Sequence, residues 1–254
     1  MPNPRRIVFG DVHGHFDALT TLFEAIAPDE RDGVYFVGDL IDRGPESAKV
    51  VDFVMENKYH CLLGNHEQMM LDAVGGVNFS PQLLHAWIYS GGKSTLESYD
   101  HQIPQSHVDW MRNLPLYLDL GDVWLVHAGV DPRLPIEEQG EAQFCWIRDE
   151  FHRYPYPYFA NKLIITGHTI TFTFANVEPG KLVSGPGWLD IDTGAYHPKS
   201  GWLTALELNN QEVYQAHIFT NEVRRLPLED AVVALPPQNF HRSRQKGKKR
   251  GLLG

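Results

Sequence analysis

The sequence predicts an α/β fold whose amino-terminal part is a parallel sheet, and three observations predict it. Short apolar, β-branched runs recur at 6–9, 34–37 and 59–63. Amphipathic stretches at helical spacing fill the intervals between them. Each apolar run ends in a polar string opened by glycine: Gly10-Asp11, Gly38-Asp39 and Gly64-Asn65, spaced 28 and 26 residues apart. Strand, loop, helix, strand in units of that length is a βαβ crossover, whose strands run parallel. Parallel strands open their carboxyl-end loops on one edge of the sheet, and the polar strings fall on that edge.

Phe16, Leu19, Leu22, Phe23 and Ile26 mark the first helix by their 3–4 residue spacing. A second is expected over 46–57, with Val50, Val51, Phe53 and Val54 on its apolar side and Pro45 at its first turn. Residues 68–74 extend a third helix, after which Gly75, Gly76, Pro81, Gly91, Gly92 and Pro104 break the pattern. The region 68–115 therefore reads as a helical insertion, either a substrate-facing lid or a packing subdomain. Runs at 123–126, 163–165, 188–191, 202–207 and 213–216, separated by Gly and Pro, predict a second, mostly antiparallel sheet. The aromatic run Tyr154, Tyr156, Tyr158 and Phe159, broken by Pro155 and Pro157, is either a groove lining or a rigid packed loop. No repeat or long linker divides residues 1–239, so they read as a single domain followed by a basic tail at 240–254.

With 43% hydrophobic residues the chain has enough apolar side chains for a core. No apolar run approaches the roughly 20 residues that span a bilayer, so membrane insertion is not expected. The opening residues lack the long apolar region of a secretory signal. Cys61 and Cys145 stand far apart, which argues against a disulfide framework or thiolate metal site and for a reducing, cytoplasmic setting. Six of the 22 Lys/Arg residues fall in 240–254, where no Asp or Glu occurs; the other 16 stand against all 32 acidic residues. Such an acidic body is a poor match for nucleic acid, because cationic neutralisation of phosphates supplies most of that affinity. The tail alone suits RNA, an anionic surface or an acidic partner, unless it is a solvated end.

Two further strings, His127-Ala128-Gly129 and Gly167-His168-Thr169, follow later apolar runs in the same way. Six candidate ligands result: Asp11, His13, Asp39, Asn65, His127 and His168. Carboxylate, imidazole and amide oxygen make a mixed donor set suited to Mn²⁺, Fe or Zn²⁺. Six side chains exceed the needs of one catalytic ion, whereas two ions sharing a carboxylate fit, and paired ions suit in-line displacement at phosphorus. The other histidines, including His15, His60, His85 and His197, read as surface or core residues.

With Gly10-Asp11-Val12-His13-Gly14, Gly38-Asp39-Leu40-Ile41-Asp42-Arg43-Gly44 and Gly64-Asn65-His66-Glu67 in order ahead of the two histidine strings, the sequence resembles the phosphoprotein phosphatase (PPP) branch of the calcineurin-like metallophosphoesterases. Trp146-Ile147-Arg148 and Ile191-Asp192-Thr193-Gly194-Ala195 are similar to its bacterial and phage members, and the resemblance spans roughly residues 5–220. It implies a four-layer αββα sandwich. It implies two divalent ions, Mn²⁺ first, one held by Asp11, His13 and Asp39 and the other by Asp39, Asn65, His127 and His168, with Asp39 the bridge. A water on the ions would attack phosphorus directly. Arg43 and Arg148 would grip phosphoryl oxygens, and His66, oriented by Asp42, would protonate the leaving group. The expected substrate is a phosphoserine or phosphothreonine protein or peptide, with phosphotyrosine in reach. Symmetrical diadenosine tetraphosphatases are the alternative; they carry Asp where this chain has Glu67 and lack the Trp146-Ile147-Arg148 string. A non-catalytic binding protein is the third reading, and the intact ligand set argues against it.

Overall fold

A computed structural model describes residues 4–74 and 80–236, so the basic tail, Gly75 and Gly76 lie outside the described residues. The chain opens with β1 (Arg6–Phe9), α1 (Phe16–Ile26), β2 (Gly33–Phe36), α2 (Ser47–Glu56), β3 (His60–Cys61) and α3 (Asn65–Val74). The strands β1, β2 and β3 pair in parallel, as the spacing of the glycine strings predicts. Helix α1 ends at Ala27, whose left-handed backbone (φ 45°) lets its N–H close on the Phe23 carbonyl. Helix α2 begins at Ser47, so Pro45 precedes its cap at Glu46 instead of occupying the first turn.

The region expected as an insertion holds α4 (Pro81–Trp87), a kinked turn over Ile88–Gly92 that bends at Gly91, α5 (Lys93–Ser98) and α6 (Gln105–Arg112). Helices α4 and α6 pack on α3, and α5 packs on α2. Trp87 and Met111 belong to the same buried cluster as the faces of α1 and α2.

The remaining elements are β4 (Tyr117–Asp119), β5 (Val123–Val126), α7 (Glu141–Phe144), α8 (Asp149–His152), β6 (Leu163–Thr166), β7 (Leu182–Gly185), β8 (Trp188–Asp190), β9 (Trp202–Glu207), β10 (Glu212–His217), β11 (Val223–Pro227), α9 (Leu228–Ala231) and β12 (Val232–Ala234). They do not form one mostly antiparallel sheet. Strands β9, β10 and β11 extend the first sheet, in the order β11-β10-β9-β1-β2-β3, through antiparallel pairing of β9 with β1. The second sheet, β12-β7-β8-β6-β5-β4, is mixed, with β5, β6 and β8 parallel at its centre. Local patterning identifies strands but not partners: β9 is buried along its whole length and would suit the middle of either sheet.

The two-residue period of the strands sorts their side chains into layers. Ile7 and Phe9 join the cluster that contains the faces of α1 and α2, while Val8 points to the opposite side and meets Val123, Leu125, Ile165 and Leu189 between the sheets. On the far side of the second sheet, Trp124, Val126, Ile164 and Trp188 pack with Phe144 of α7 and Phe151 of α8. Helices, sheet, sheet, helices is the αββα sandwich. Tyr158 and Phe159 pack against this last cluster and Tyr158 donates to the Leu134 carbonyl at 2.9 Å, so that half of the aromatic run is a packed loop; Tyr156 is exposed.

Candidate active site

Parallel strands of both sheets deliver polar residues to one place. Asp11 and His13 follow β1, Asp39 follows β2, Asn65 opens α3 after β3, His127 follows β5, and His168 follows β6. The backbone reverses sharply there: His13, Asp39, Asp42, Arg43 and His168 all have φ between 48° and 72°. Non-glycine residues adopt that region at a cost, and they persist where surrounding structure fixes them. Glycine is required beside them; a Cβ on Gly64 would overlap both the carboxylate and the amide of Asp39.

Two groups of ligand-type atoms form, His13 with Asp39 and His66, and Asp39 with His127 and His168, each within 4.8 Å of one another. Asp39 belongs to both. The Asn65 side-chain oxygen lies 2.9 Å from His127 Nε2 and 2.7 Å from His168 Nδ1, placing it with the second group. Asp11 is set slightly apart; its carboxylate accepts the His168 backbone N–H at 3.0 Å. All six candidate ligands are buried.

The hydrogen bonds fix which imidazole nitrogens face inward. His127 Nδ1 lies 2.9 Å from the Val37 carbonyl and His13 Nδ1 lies 2.9 Å from that of Ile41, so these nitrogens carry the protons and both Nε2 atoms are lone pairs. Burial pushes His13, His127 and His168 below the usual imidazole range, which keeps them neutral. Burial also pushes Asp39 upward, but attraction to His127, His66, His13 and His168 whenever those rings take up a proton outweighs it and sets the carboxyl well below its usual range. Asp11 goes the other way, raised by burial and by Asp192 and Asp39 nearby.

Acceptors therefore face acceptors: the His127 Nε2 lone pair looks at the oxygens of Asn65 and, at 3.4 Å, Asp39. His168 Nε2 is buried without a hydrogen-bond partner. A cation relieves both conditions, so the donor set fits divalent metal.

His66 Nδ1 sits 2.6 Å from Asp42 Oδ2, leaving Nε2 directed toward Asp39 at 3.9 Å. The Arg43 guanidinium reaches His13 Nε2 at 2.8 Å and stacks 4.0 Å from the Tyr196 ring centroid. Arg148 donates to the His168 carbonyl and to Thr169 Oγ1 at 3.1 and 3.0 Å. All ten sequence-derived candidates thus converge on one region.

Other residues at the site were given no ligand, phosphate-binding or proton-transfer role from the sequence. Glu67 is fully buried and accepts four backbone N–H groups, from Asp39, Leu40, Ile41 and Gly64. Only its place after Asn65-His66 hinted at a role. Trp87 and Thr95, from the insertion, both bond Asp42. Asp192 accepts the Gly194 N–H at 2.9 Å and gives its own N–H to Asp190, bracing the loop after β8; burial raises its carboxyl to about 6.

The calcineurin-like phosphoesterase family model matches residues 4–182. A symmetrical bis(5'-nucleosyl)-tetraphosphatase of Neisseria meningitidis serogroup A is 32% identical over 142 residues, 53% of this chain and 48% of that protein. One from Coxiella burnetii (strain Dugway 5J108-111) is 33% identical over 140 residues, 52% of this chain and 44% of that protein. The chain therefore spans about half the length of these curated relatives. Among solved structures, a candidate diadenosine tetraphosphatase superposes with a TM-score of 0.58 at 20% identity, covering 89% of this chain and 96% of the other. A cold-active protein tyrosine phosphatase superposes with a TM-score of 0.57 at 18% identity, covering 89% and 79%.

Proposed function

The chain belongs to the calcineurin-like phosphoesterase family, and from that premise we propose that it hydrolyses phosphoric esters and anhydrides at a two-metal centre bridged by Asp39. The observation that carries this reading is the presence of Asp39 in both ligand groups. Two divalent ions bound there would supply an activated water at neutral pH and neutralise phosphoryl oxygens.

The side chains divide the remaining work. Arg43 and Arg148 present planar guanidinium groups beside the cluster, suited to forked contact with phosphoryl oxygens. His66 would give the proton on Nε2 to the departing oxygen. Asp42, at 2.6 Å, holds the ring with Nδ1–H toward itself and stabilises the charged imidazolium.

Dinucleoside tetraphosphates are the substrate class we put first, on the strength of the relatives just described. This reverses the order suggested by Glu67. Its carboxylate is fully buried and bonds the backbone of the Asp39 loop, so Glu or Asp at this position bears on loop geometry more than on substrate choice. Phosphoproteins are the second reading, favoured by the partly exposed Trp146 (42%), whose ring centroid lies 6.4 Å from that of His168. Parallel turnover assays on diadenosine tetraphosphate and a phosphoserine peptide decide between them. ADP as the sole nucleotide product, at a rate well above peptide dephosphorylation, supports the first; the opposite ranking overturns it, and no turnover of either overturns the enzymatic reading.

A further inference from the structure

We propose that Trp87 and Thr95, reaching in from the helical insertion, are positioning residues that hold Asp42 as an oriented carboxylate and so fix His66 as proton donor. The proposal rests on the reading of His66 given above.

Asp42 is wholly buried and 45 and 53 residues distant in sequence from its two partners. The indole Nε1–H of Trp87 lies 3.0 and 2.9 Å from the two carboxylate oxygens. Thr95 Oγ1 lies 2.6 Å from Oδ1. The Asp42 backbone N–H donates in turn to Thr95 Oγ1 at 2.9 Å and to Ser47 Oγ at 3.1 Å. Since the single Thr95 hydroxyl proton goes to the carboxylate, the Ser47 hydroxyl, 3.1 Å from it, is the donor in that pair. Every polar atom in this nest is thus accounted for.

The consequence is chemical. With the Trp87 N–H on both oxygens and the Thr95 hydroxyl on Oδ1, the Asp42 carboxylate is presented as an acceptor. His66 must then present Nδ1–H to Asp42, which leaves Nε2 for the reacting group. Without the two donors Asp42 is free to rotate, and the His66 ring loses its fixed partner.

The insertion is shaped for this contact. Gly91, at φ 121°, gives its carbonyl to the Arg43 N–H at 3.1 Å, and a Cβ there would stand 2.7 Å from Arg43 Cγ. A Cβ on Gly92 would overlap the Trp87 indole. The kinked turn Ile88–Gly92, flanked by Trp87 and Thr95, therefore ties Arg43 and Asp42 to one segment of the insertion. Simple core packing explains the burial of the Trp87 ring but not an N–H aimed at a carboxylate.

The test uses metal-loaded full-length protein and two aryl phosphates. Phenyl phosphate has a basic leaving oxygen that needs a proton; p-nitrophenyl phosphate needs it less. Trp87→Phe and Thr95→Val keep the bulk and remove one donor each. Each is expected to retain both metals and its KM, and to lose about 10- to 100-fold in kcat on phenyl phosphate, the usual scale for a supporting hydrogen bond at a metal site. The loss on the nitrophenyl ester is smaller, and Thr95→Ser recovers most of what Thr95→Val loses. Equal losses on both esters, loss of metal in step with rate, or no recovery in Thr95→Ser overturns the proposal. If Trp87→Phe does not fold, the Thr95 pair decides alone. His66→Asn separates the two levels. If its own losses are equal on both esters, the acid reading falls and the clamp with it. If they are unequal while the clamp variants are insensitive to the leaving group, only the clamp falls.

Discussion

Replacing Glu67 by Gln exchanges one carboxylate oxygen for an NH₂ group and should unfold the loop that carries Asp39. One carboxylate oxygen accepts from Leu40 and Ile41 at 2.8 and 3.3 Å; the other accepts from Asp39 and Gly64 at 2.9 and 3.1 Å. Whichever way the Gln amide turns, its NH₂ faces two backbone N–H groups. Two buried donors then lose their acceptor, at about 1–3 kcal/mol each, or about 2–6 kcal/mol together. Relief of a buried charge works against this, since burial and the neighbouring Asp39 push the Glu67 carboxyl up to about 8. A raised carboxyl contributes stability below its unfolded value that is lost as pH rises through about 8. In metal-free protein the deficit of Glu67→Gln should therefore be larger near pH 5 than near pH 8. Urea unfolding of wild type and variant at both values measures it. A variant within about 0.5 kcal/mol of wild type, the ordinary range for surface changes, would refute the role of Glu67 in holding the Asp39 loop. Glu67→Asp is also informative: a switch in preference between tetraphosphate and phosphopeptide would show that this residue selects substrate after all.

His66→Asn should keep its metals and lose about 10²–10⁴-fold in kcat, the range for general acid catalysis, most of all on poor leaving groups; an unchanged rate excludes the role. Gly64→Ala drives a methyl into the Asp39 carboxylate and amide, so metal content and activity should fall together; a fully loaded, active variant contradicts the close approach. Deleting 240–254 should leave turnover of small phosphoesters intact, and a collapse of that rate would mean that the tail acts at the site.

Much of the site was legible because its residues are local punctuation. A glycine string after an apolar run marks a strand end, and five such strings in order name Asp11, Asp39, Asn65, His127 and His168 without any knowledge of pairing. What the sequence hides is pairing itself. Strand β9 reads as apolar on both faces, and only its register with β1 places it in the first sheet. Trp87 and Thr95 escape for the same reason: an indole at helical spacing reads as core, and nothing local shows its N–H meeting a carboxylate 45 residues earlier. Glu67 lay in plain view beside Asn65, but its function is to collect backbone amides, which carry no sequence signature.

Metal analysis of purified wild type and Asp39→Asn, by inductively coupled plasma spectrometry after exhaustive dialysis, bears most directly on the centre itself. Two divalent ions per wild-type chain and a deficit affecting both sites in the variant are expected from a carboxylate shared between His13 on one side and His127 and His168 on the other. A single ion in the wild type, or a full pair in Asp39→Asn, would contradict a shared bridge.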